Sequence, residues 1–144
     1  MKFDPSKKIN GTFGELWIDD YYLSEVLGLQ AKATINKEEV KQTGSLEKGY
    51  KVTGVDGKGT VKLNKVTSLF ITMLSDQIKA GKMPTFTIIS KLADPASDGI
   101  ERIKLSGCTF DELTLADWEA GKLGEESYAF TFTSWEVLDT IPTL

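Results

Sequence analysis

The longest run of alternating residues in this chain extends from Leu27 to Glu38. Apolar residues occupy every second position from Leu27 to Ile35, and most of the residues between them are polar. Successive side chains of a β-strand point to opposite faces, so this period of two predicts a half-buried strand. We expect one face to pack on a core and the other to meet water. The apolar members are Leu27, Leu29, Ala31, Ala33 and Ile35.

Further strand patterns occur along most of the chain. The segments TFGELWI and YYLSEV flank the turn residues Asp19-Asp20, which predicts a hairpin. A strand opened by Pro84 and the strand ERIKLSG flank the turn DPASDG, which predicts a second hairpin. Near the end, SYAFTFTSWEVL forms the last strand, with Tyr128, Phe130 and Phe132 facing one way. We also expect a short strand from Phe110 to Leu115, followed by an acidic connection from Asp117 to Glu126.

Helical spacing occurs in one place, where Phe70, Met73, Leu74 and Ile78 fall on one face and Gly81 follows the expected end. About six to eight strands with one helix predict a mainly β fold, an antiparallel β-sandwich or barrel-like domain with one flanking α-helix. The length of 144 residues predicts a single domain, 1–144, with a loose N-terminal tail over 1–9.

The segment GVDGKGT at residues 54–60 looks at first like a phosphate-binding loop. A P-loop needs a glycine five positions before its Gly-Lys pair and Ser or Thr after the lysine. Here Val52 and Gly59 occupy those two positions, and a strand pattern from Thr60 to Val66 follows where a helix is required. We therefore interpret GVDGKGT as a glycine turn between two antiparallel strands. The wider stretch 40–59 is rich in glycine and poor in apolar residues, which predicts a projecting loop or hairpin. Long loops in compact domains are often functional, so its length suggests a functional role.

The composition excludes several kinds of chemistry. The chain has no histidine and one cysteine, so it lacks the residues for Ser-His-Asp catalysis and for histidine or multi-thiolate zinc sites. Its carboxylates do not form convergent pairs by sequence. We predict no catalytic residues, no cofactor and no metal. The net charge of -4 and the lone Arg102 disfavour tight nucleic-acid binding. With neither a membrane span nor a signal peptide evident, we expect a protein of the producing cell's cytoplasm, without a membrane partner.

Several segments together resemble a known family. The run TGVDGKGTVKLNKVTSLF, the strand ERIKLSGCTF, the closing EESYAFTFTSWEVL and the opening NGTFGELWIDD are similar to tail tube proteins of contractile phage-like particles, the PBSX type. The likeness extends from about Ile9 to Leu138, in the same order and at similar separations.

The resemblance implies a structural, non-enzymatic subunit that assembles with itself into hexameric rings. The rings stack into a tube inside a contractile sheath, in a phage tail or a phage-tail-like bacteriocin, assembled in the bacterial cytoplasm. The implied partners are other copies of the chain, the tail sheath protein, the baseplate and the tape-measure protein, with non-specific DNA passage through the lumen. A type VI secretion-like tube protein is the nearer alternative; the quoted motifs favour the phage-tail side.

Two groups of residues follow from this resemblance. The long loop reaches toward the adjacent ring, and by position its contact residues are Lys41, Thr43, Leu46, Lys48, Tyr50 and Lys51. The polar face of the alternating strand suits a water-filled lumen and equally suits plain solvent; its members are Lys32, Thr34, Asn36 and Glu38.

A different class of function also fits the residues. The aromatic strand faces are compatible with a monomeric β-barrel that holds a small apolar ligand, because an eight-stranded barrel has room for one. This alternative predicts a closed cavity lined by Phe86, Phe130 and Phe132.

Overall fold

A computed structural model of the chain describes residues 2–144. These residues form eight β-strands and one α-helix, preceded by 3₁₀ turns at Pro5–Lys7 and Gly11–Phe13. The elements are β1 (Gly14–Ile18), β2 (Tyr21–Tyr22), β3 (Val26–Val40), β4 (Gly49–Asn64), α1 (Leu69–Lys79), β5 (Phe86–Leu92), β6 (Glu101–Phe110), β7 (Glu125–Phe132) and β8 (Ser134–Asp139). The predicted mainly β fold with one flanking helix is confirmed.

All strand pairings are antiparallel, in the order β2-β1-β5-β6-β7-β4-β3, with β8 also paired to β6. Strand β6 belongs to both halves of the sheet. Its first part pairs with β5 and β8, whereas its last two residues, Thr109 and Phe110, pair with β7. The sheet therefore folds over at β6 into an open sandwich. Strands β1 and β3, near the two ends of the order, line a groove along its open side.

The two predicted short hairpins are confirmed. Strand β1 pairs with β2 through Trp17 and Ile18, and Asp19 takes a positive φ of 51° in the turn between them. The Asp19 side chain accepts a hydrogen bond of 2.9 Å from the backbone N–H of Thr87, which ties this turn to β5. Strands β5 and β6 pair across the turn that begins at Asp94, whose carboxylate accepts from the Ala96 N–H at 2.9 Å.

Aromatic rings from the helix and the strands form the centre of the core. Phe70 of α1 stacks on Tyr128 with ring centroids 4.1 Å apart and meets the edge of Phe110 at 5.1 Å. Phe130 packs on Phe110 at 6.0 Å and on Phe132 at 6.3 Å. The predicted helix and the predicted buried face of the last aromatic segment are thus confirmed.

The same packing argues against the ligand-binding alternative. Phe130 and Phe132 are buried among other side chains, and Phe86 packs against this cluster. Their rings fill the space in which the predicted ligand would lie. An interior filled by its own side chains offers no closed apolar cavity at this position.

The core also holds polar groups that are paired. Glu126 is buried, and its carboxylate accepts from Tyr128 Oη at 2.7 Å and pairs with Lys65 Nζ at 2.6 Å. Burial raises the pKa of Tyr128, and the hydrogen bond to Glu126 raises it further. Cys108 is fully buried, as expected for a core cysteine, and burial raises the pKa of its thiol to about 11.

The segment GVDGKGT is not a turn, and that interpretation was wrong. Residues 54–60 lie inside β4, where Gly57 pairs with Ala33 on one side and Phe132 on the other. A Cβ at Gly57 would approach the Phe132 ring to 2.5 Å, and one at Gly59 would overlap the Phe130 ring. The two glycines are required because aromatic rings of β7 lie across the β4 backbone.

Two other boundaries differ from the sequence prediction. Residues 111–115 form no strand, and β6 ends at Phe110. The last predicted strand is broken at Thr133 into β7 and β8, which pair with different parts of β6. Thr133 N–H donates to the Ser106 carbonyl at 3.0 Å, and Gly107, with a φ of 66°, leaves no room for a Cβ beside the Thr133 side chain.

The N-terminal residues are exposed but not without contacts. Met1 lies outside the described residues, so the expected loose tail over 1–9 is described from residue 2 onward. Lys7 Nζ lies 2.9 Å from an Asp98 carboxylate oxygen, and the Asn10 N–H donates to Asp94 at 2.9 Å.

We predict that Gly59→Ala lowers the free energy of unfolding by about 2 kcal/mol, because the added methyl overlaps the Phe130 ring and lies 2.6 Å from the Gln30 carbonyl. Urea denaturation of the purified protein measures this. Gly54→Ala in the same strand is the matched control, since its nearest neighbour would be Asn36 Nδ2 at 3.8 Å. A change for Gly59→Ala no larger than for Gly54→Ala would contradict the assigned contact.

Candidate assembly surface

The most prominent surface feature is the hairpin of β3 and β4. The two strands pair from Val26↔Leu63 to Val40↔Gly49, with Leu27 bulged out of β3 and Thr53 bulged out of β4. Only residues 41–48 at its tip lie outside strands. Of the two forms expected for residues 40–59, a loop or a hairpin, the structure contains the hairpin.

The outer part of this hairpin has no third strand among residues 2–144. Strand β7 pairs with β4 from Asn64 only as far as Gly57, opposite Phe132. Residues 34–40 and 49–56 therefore form a two-stranded ribbon beyond the sandwich. A lone two-stranded hairpin is marginally stable in water at best. We call this part the ribbon.

The predicted inter-ring residues all lie at the outer end of the ribbon and are exposed. Lys41, Thr43, Leu46 and Lys48 are in the tip, whereas Tyr50 and Lys51 are at the start of β4. Leu46 is fully exposed, and Tyr50 retains 62% of its accessible surface. The hairpin thus brings the six side chains together at one end of the molecule.

The predicted lumen residues share one face of β3 and are exposed. The pairings place residues of β4 and β7 on that same face: Lys32 lies opposite Lys58, which in turn lies opposite Thr131. Asn36 Nδ2 donates to Asp56 Oδ2 at 3.0 Å across this face. We call it the polar face. Beyond Lys32, Thr34, Asn36 and Glu38, it contains Lys51, Asp56, Lys58, Thr60, Lys62, Thr109, Glu125, Ser127 and Thr131.

Sequence reasoning missed the contribution of β4 and β7 to the polar face. The signal was present, because Asp56, Lys58, Thr60 and Lys62 alternate with small or apolar residues. Treating the glycines among them as a turn concealed that period of two. The polar face carries lysines as well as carboxylates, and Lys32 and Lys58 lie directly opposite each other. The acidic excess of the chain is not concentrated here.

The opposite, apolar face of the hairpin is uncovered over much of its length. Leu29 is half-buried, but Ala31, Ala33 and Ile35 are exposed, Ile35 to 55%. The expectation that the whole apolar face of this strand packs on a core is therefore wrong except at Leu29, since the bulged Leu27 is also exposed, to 53%. Small residues face each other beyond Leu29, since Ala31 pairs with Gly59 and Ala33 with Gly57. The buried core therefore extends along this hairpin only as far as Phe132, opposite Gly57.

The outer edge of β3 has no partner strand in the part of the chain that the structure describes. It presents unpaired backbone N–H and C=O groups along a strand of 15 residues. Such an edge is a template for pairing with another chain.

No helix within residues 2–144 is both long and apolar enough to span a bilayer. No cluster of three or more potential metal ligands occurs among the same residues.

An open sandwich with a free edge strand, an uncovered apolar face and a projecting ribbon defines a structural subunit built to associate with other subunits. The family model described as "Phage tail tube protein" matches residues 1–139. The chain belongs to the phage tail tube protein family.

Individual relatives agree with this assignment. The chain is 33% identical over 139 residues to the phage-like element PBSX protein XkdM of Bacillus subtilis (strain 168), covering 95% of both chains. Its fold is similar to a chain of the sheath-tube complex of an extracellular contractile injection system, with a TM-score of 0.70, 11% identity and 92% and 93% of the two chains covered. It is also similar to a chain of the anti-feeding prophage cap, with a TM-score of 0.71, 9% identity and 97% of both chains covered.

We predict that backbone amides of the ribbon exchange with deuterium roughly 100-fold faster than amides of Gly57–Leu63 in the unassembled protein, because β7 supports only the latter. Hydrogen-exchange mass spectrometry at low protein concentration measures both segments in one sample. Strand β6, paired on both sides, provides the protected reference. Equal protection of the ribbon and Gly57–Leu63 would contradict a ribbon without further support.

Proposed function

We propose that this chain is a non-enzymatic tube subunit that assembles into hexameric rings, which stack into the inner tube of a contractile phage tail or a phage-tail-like bacteriocin. The observation that carries the proposal is the unpaired edge of β3 beside an uncovered apolar face. Pairing this edge with a neighbouring subunit would satisfy the hydrogen bonds of its backbone N–H and C=O groups. If each subunit paired with the next in this way around a closed ring, no strand edge would remain open. Membership of the tail tube family supports the same conclusion.

In the proposed ring, the polar face lines the lumen. Threonine, asparagine and charged side chains on a sheet surface suit contact with water, whereas the other face of the same strands is apolar. DNA passage through this lumen is part of the proposal for a phage tail. The mixed charge of the polar face favours neither tight binding nor strong repulsion of a polyanion.

In the proposed tube, the tip of the ribbon contacts the adjacent ring. Its apolar Leu46 and Tyr50 lie among the lysines 41, 48 and 51, and none of these side chains is covered by the rest of the chain. A contact with the next ring would bury Leu46 and Tyr50 and order the ribbon. The further partners in this proposal are the sheath, the baseplate and the tape-measure protein, with assembly in the bacterial cytoplasm.

We predict that replacing residues 41–48 by Asn-Gly leaves the monomer folded and blocks tube growth. Val40 and Gly49 already pair, so a two-residue turn can close the hairpin. Circular dichroism measures the fold, and negative-stain imaging of concentrated protein measures rings and tubes. The control is Leu144→Ser, which alters an apolar residue that is exposed to 85% and lies far from the hairpin in sequence.

The expected images show tubes for the unaltered protein and for the control, and single rings or monomers for the shortened hairpin. Tubes of normal length from the shortened protein would refute the inter-ring role. Unaltered protein that stays monomeric at every concentration, and also when sheath and baseplate proteins are present, would refute the tube itself.

We predict that assembly shields position 34 from large reagents because Thr34 would face the lumen. A cysteine in Thr34→Cys should react with a bulky polyethylene-glycol maleimide in the monomer and at least tenfold more slowly in tubes. Asp76→Cys on the exposed side of α1 is the control and should stay reactive in both states. Mass-shift electrophoresis measures labelling. Unshielded reaction at position 34 in intact tubes would place the polar face outside.

A further inference from the structure

The open side of the sandwich contains an apolar groove of about 810 Å³. Its walls come from both halves of the sheet, with Leu16 and Leu92 on one side and Leu29 and Ala33 on the other. The residues 31 and 33 are alanines, and the glycines 57 and 59 lie opposite them. The groove is open on the β3 side because Ala31 and Ala33, which line it, are small, whereas the space over Gly57 and Gly59 is filled by the Phe132 and Phe130 rings.

A second apolar feature is the segment 111–124. It connects β6 to β7 without regular structure and exposes Trp118 to 86%, Leu115 to 72% and Leu123 to 97%. A turn near Trp118 is closed by the Lys122 N–H bonding to the Glu119 carbonyl at 3.2 Å, with Gly121 at a φ of 81°. Large apolar side chains gathered on one exposed segment mark an interaction surface.

Both ends of this segment are fixed to the sheet. The Asp111 N–H donates to the Ala129 carbonyl at 2.9 Å, and the Lys65 N–H donates to the Gly124 carbonyl at 2.9 Å. The adjacent ion pair of Lys65 with the buried Glu126 holds the second end in place. The segment thus presents Trp118 from an anchored loop, which reduces the entropy lost when it binds.

The segment does not fill the groove of its own chain, since none of the residues 111–124 lines it. It lies beside α1, since Leu113 and Leu115 share a surface depression with Leu74 and Ile78, whereas no residue of α1 lines the groove. The two features therefore lie on different sides of the molecule. A contact between such unlike surfaces is head-to-tail, and repeated head-to-tail contacts generate rings or filaments.

We propose that Trp118 of one copy inserts into the β1–β3 groove of a second copy. This inference rests on the proposed ring and names the side-chain contact that joins neighbours within it. Trp118 with Leu115 and Leu123 would bury roughly 400 Å² of apolar surface. A specific interface needs about 800 Å² per partner. The insertion therefore supplies about half of that interface area. Pairing along the free edge of β3, which lies directly beside the groove, would supply the rest.

The contact can be tested by cross-linking two single-cysteine variants of the full chain. Trp118→Cys and Ala33→Cys are purified separately, mixed under conditions that give rings, and treated with a short bis-maleimide. Cys108 does not compete because it is fully buried. Leu144→Cys mixed with Ala33→Cys is the matched control, because Leu144 is similarly exposed, at 85%, and lines neither the groove nor the depression beside the segment. Trp118→Ala provides a second readout, the protein concentration at which rings first form.

The expected result is a cross-linked dimer in the Trp118→Cys and Ala33→Cys mixture, at least tenfold more abundant than in the control or in either variant alone. Trp118→Ala should require at least tenfold more protein to form rings. Rings of unaltered protein with no such dimer, and unchanged ring formation by Trp118→Ala, would overturn the insertion while leaving the ring intact. The specific dimer without rings would support the insertion and count against the ring. Neither dimer nor rings at the highest soluble concentration would overturn both.

Discussion

The packing of Phe130 and Phe132 across the glycines of β4 determines how far the interior of this protein extends. Each ring occupies space that a Cβ at Gly59 or Gly57 would need, so β7 can lie close against β4 only with glycine at both positions. The helix completes this core from its other end through Phe70, which stacks on Tyr128. Beyond Phe132, the next ring is that of Trp135, which packs edge-on against Phe132 at 6.5 Å but retains 48% of its accessible surface.

The end of that core explains the exposed surfaces. The strands β3 and β4 continue for another seven and eight residues, and the small side chains of Ala31 and Ala33 leave a groove beside β3. Apolar surface in water and unpaired strand edges both raise the free energy of an isolated subunit. A second copy that covers the groove and pairs with the edge lowers it. The monomer is thus an open sandwich, and the proposed association would cover its groove and its free edge, in keeping with its family.

Much of this fold is predictable because its signals are local. Period-two patterns identify both short hairpins, helical spacing identifies α1, and the alternation of Tyr128 with Phe130 identifies the buried face of β7. GVDGKGT is misread because glycine favours turns locally, whereas its role here depends on rings from a strand some 70 residues later in the chain. Likewise, alternation cannot tell whether an apolar face is covered by its own chain or by another. For this reason the exposure of Ala33 and Ile35 could not be predicted from the sequence pattern.

A subunit with an open edge must also avoid pairing with the wrong strand. The free edge of β3 carries features that restrict pairing, namely lysines at 32 and 37 and a bulge at Leu27. Charges and bulges disfavour indiscriminate edge-to-edge contact, because a partner must match the interrupted register and neutralise the lysines. Lys32 is opposed within its own sheet by Lys58, so its charge is better compensated by a neighbouring chain than by β4. In the proposed ring the edge is therefore selective, and insertion into the groove beside it would add a second condition that only a correctly oriented copy fulfils.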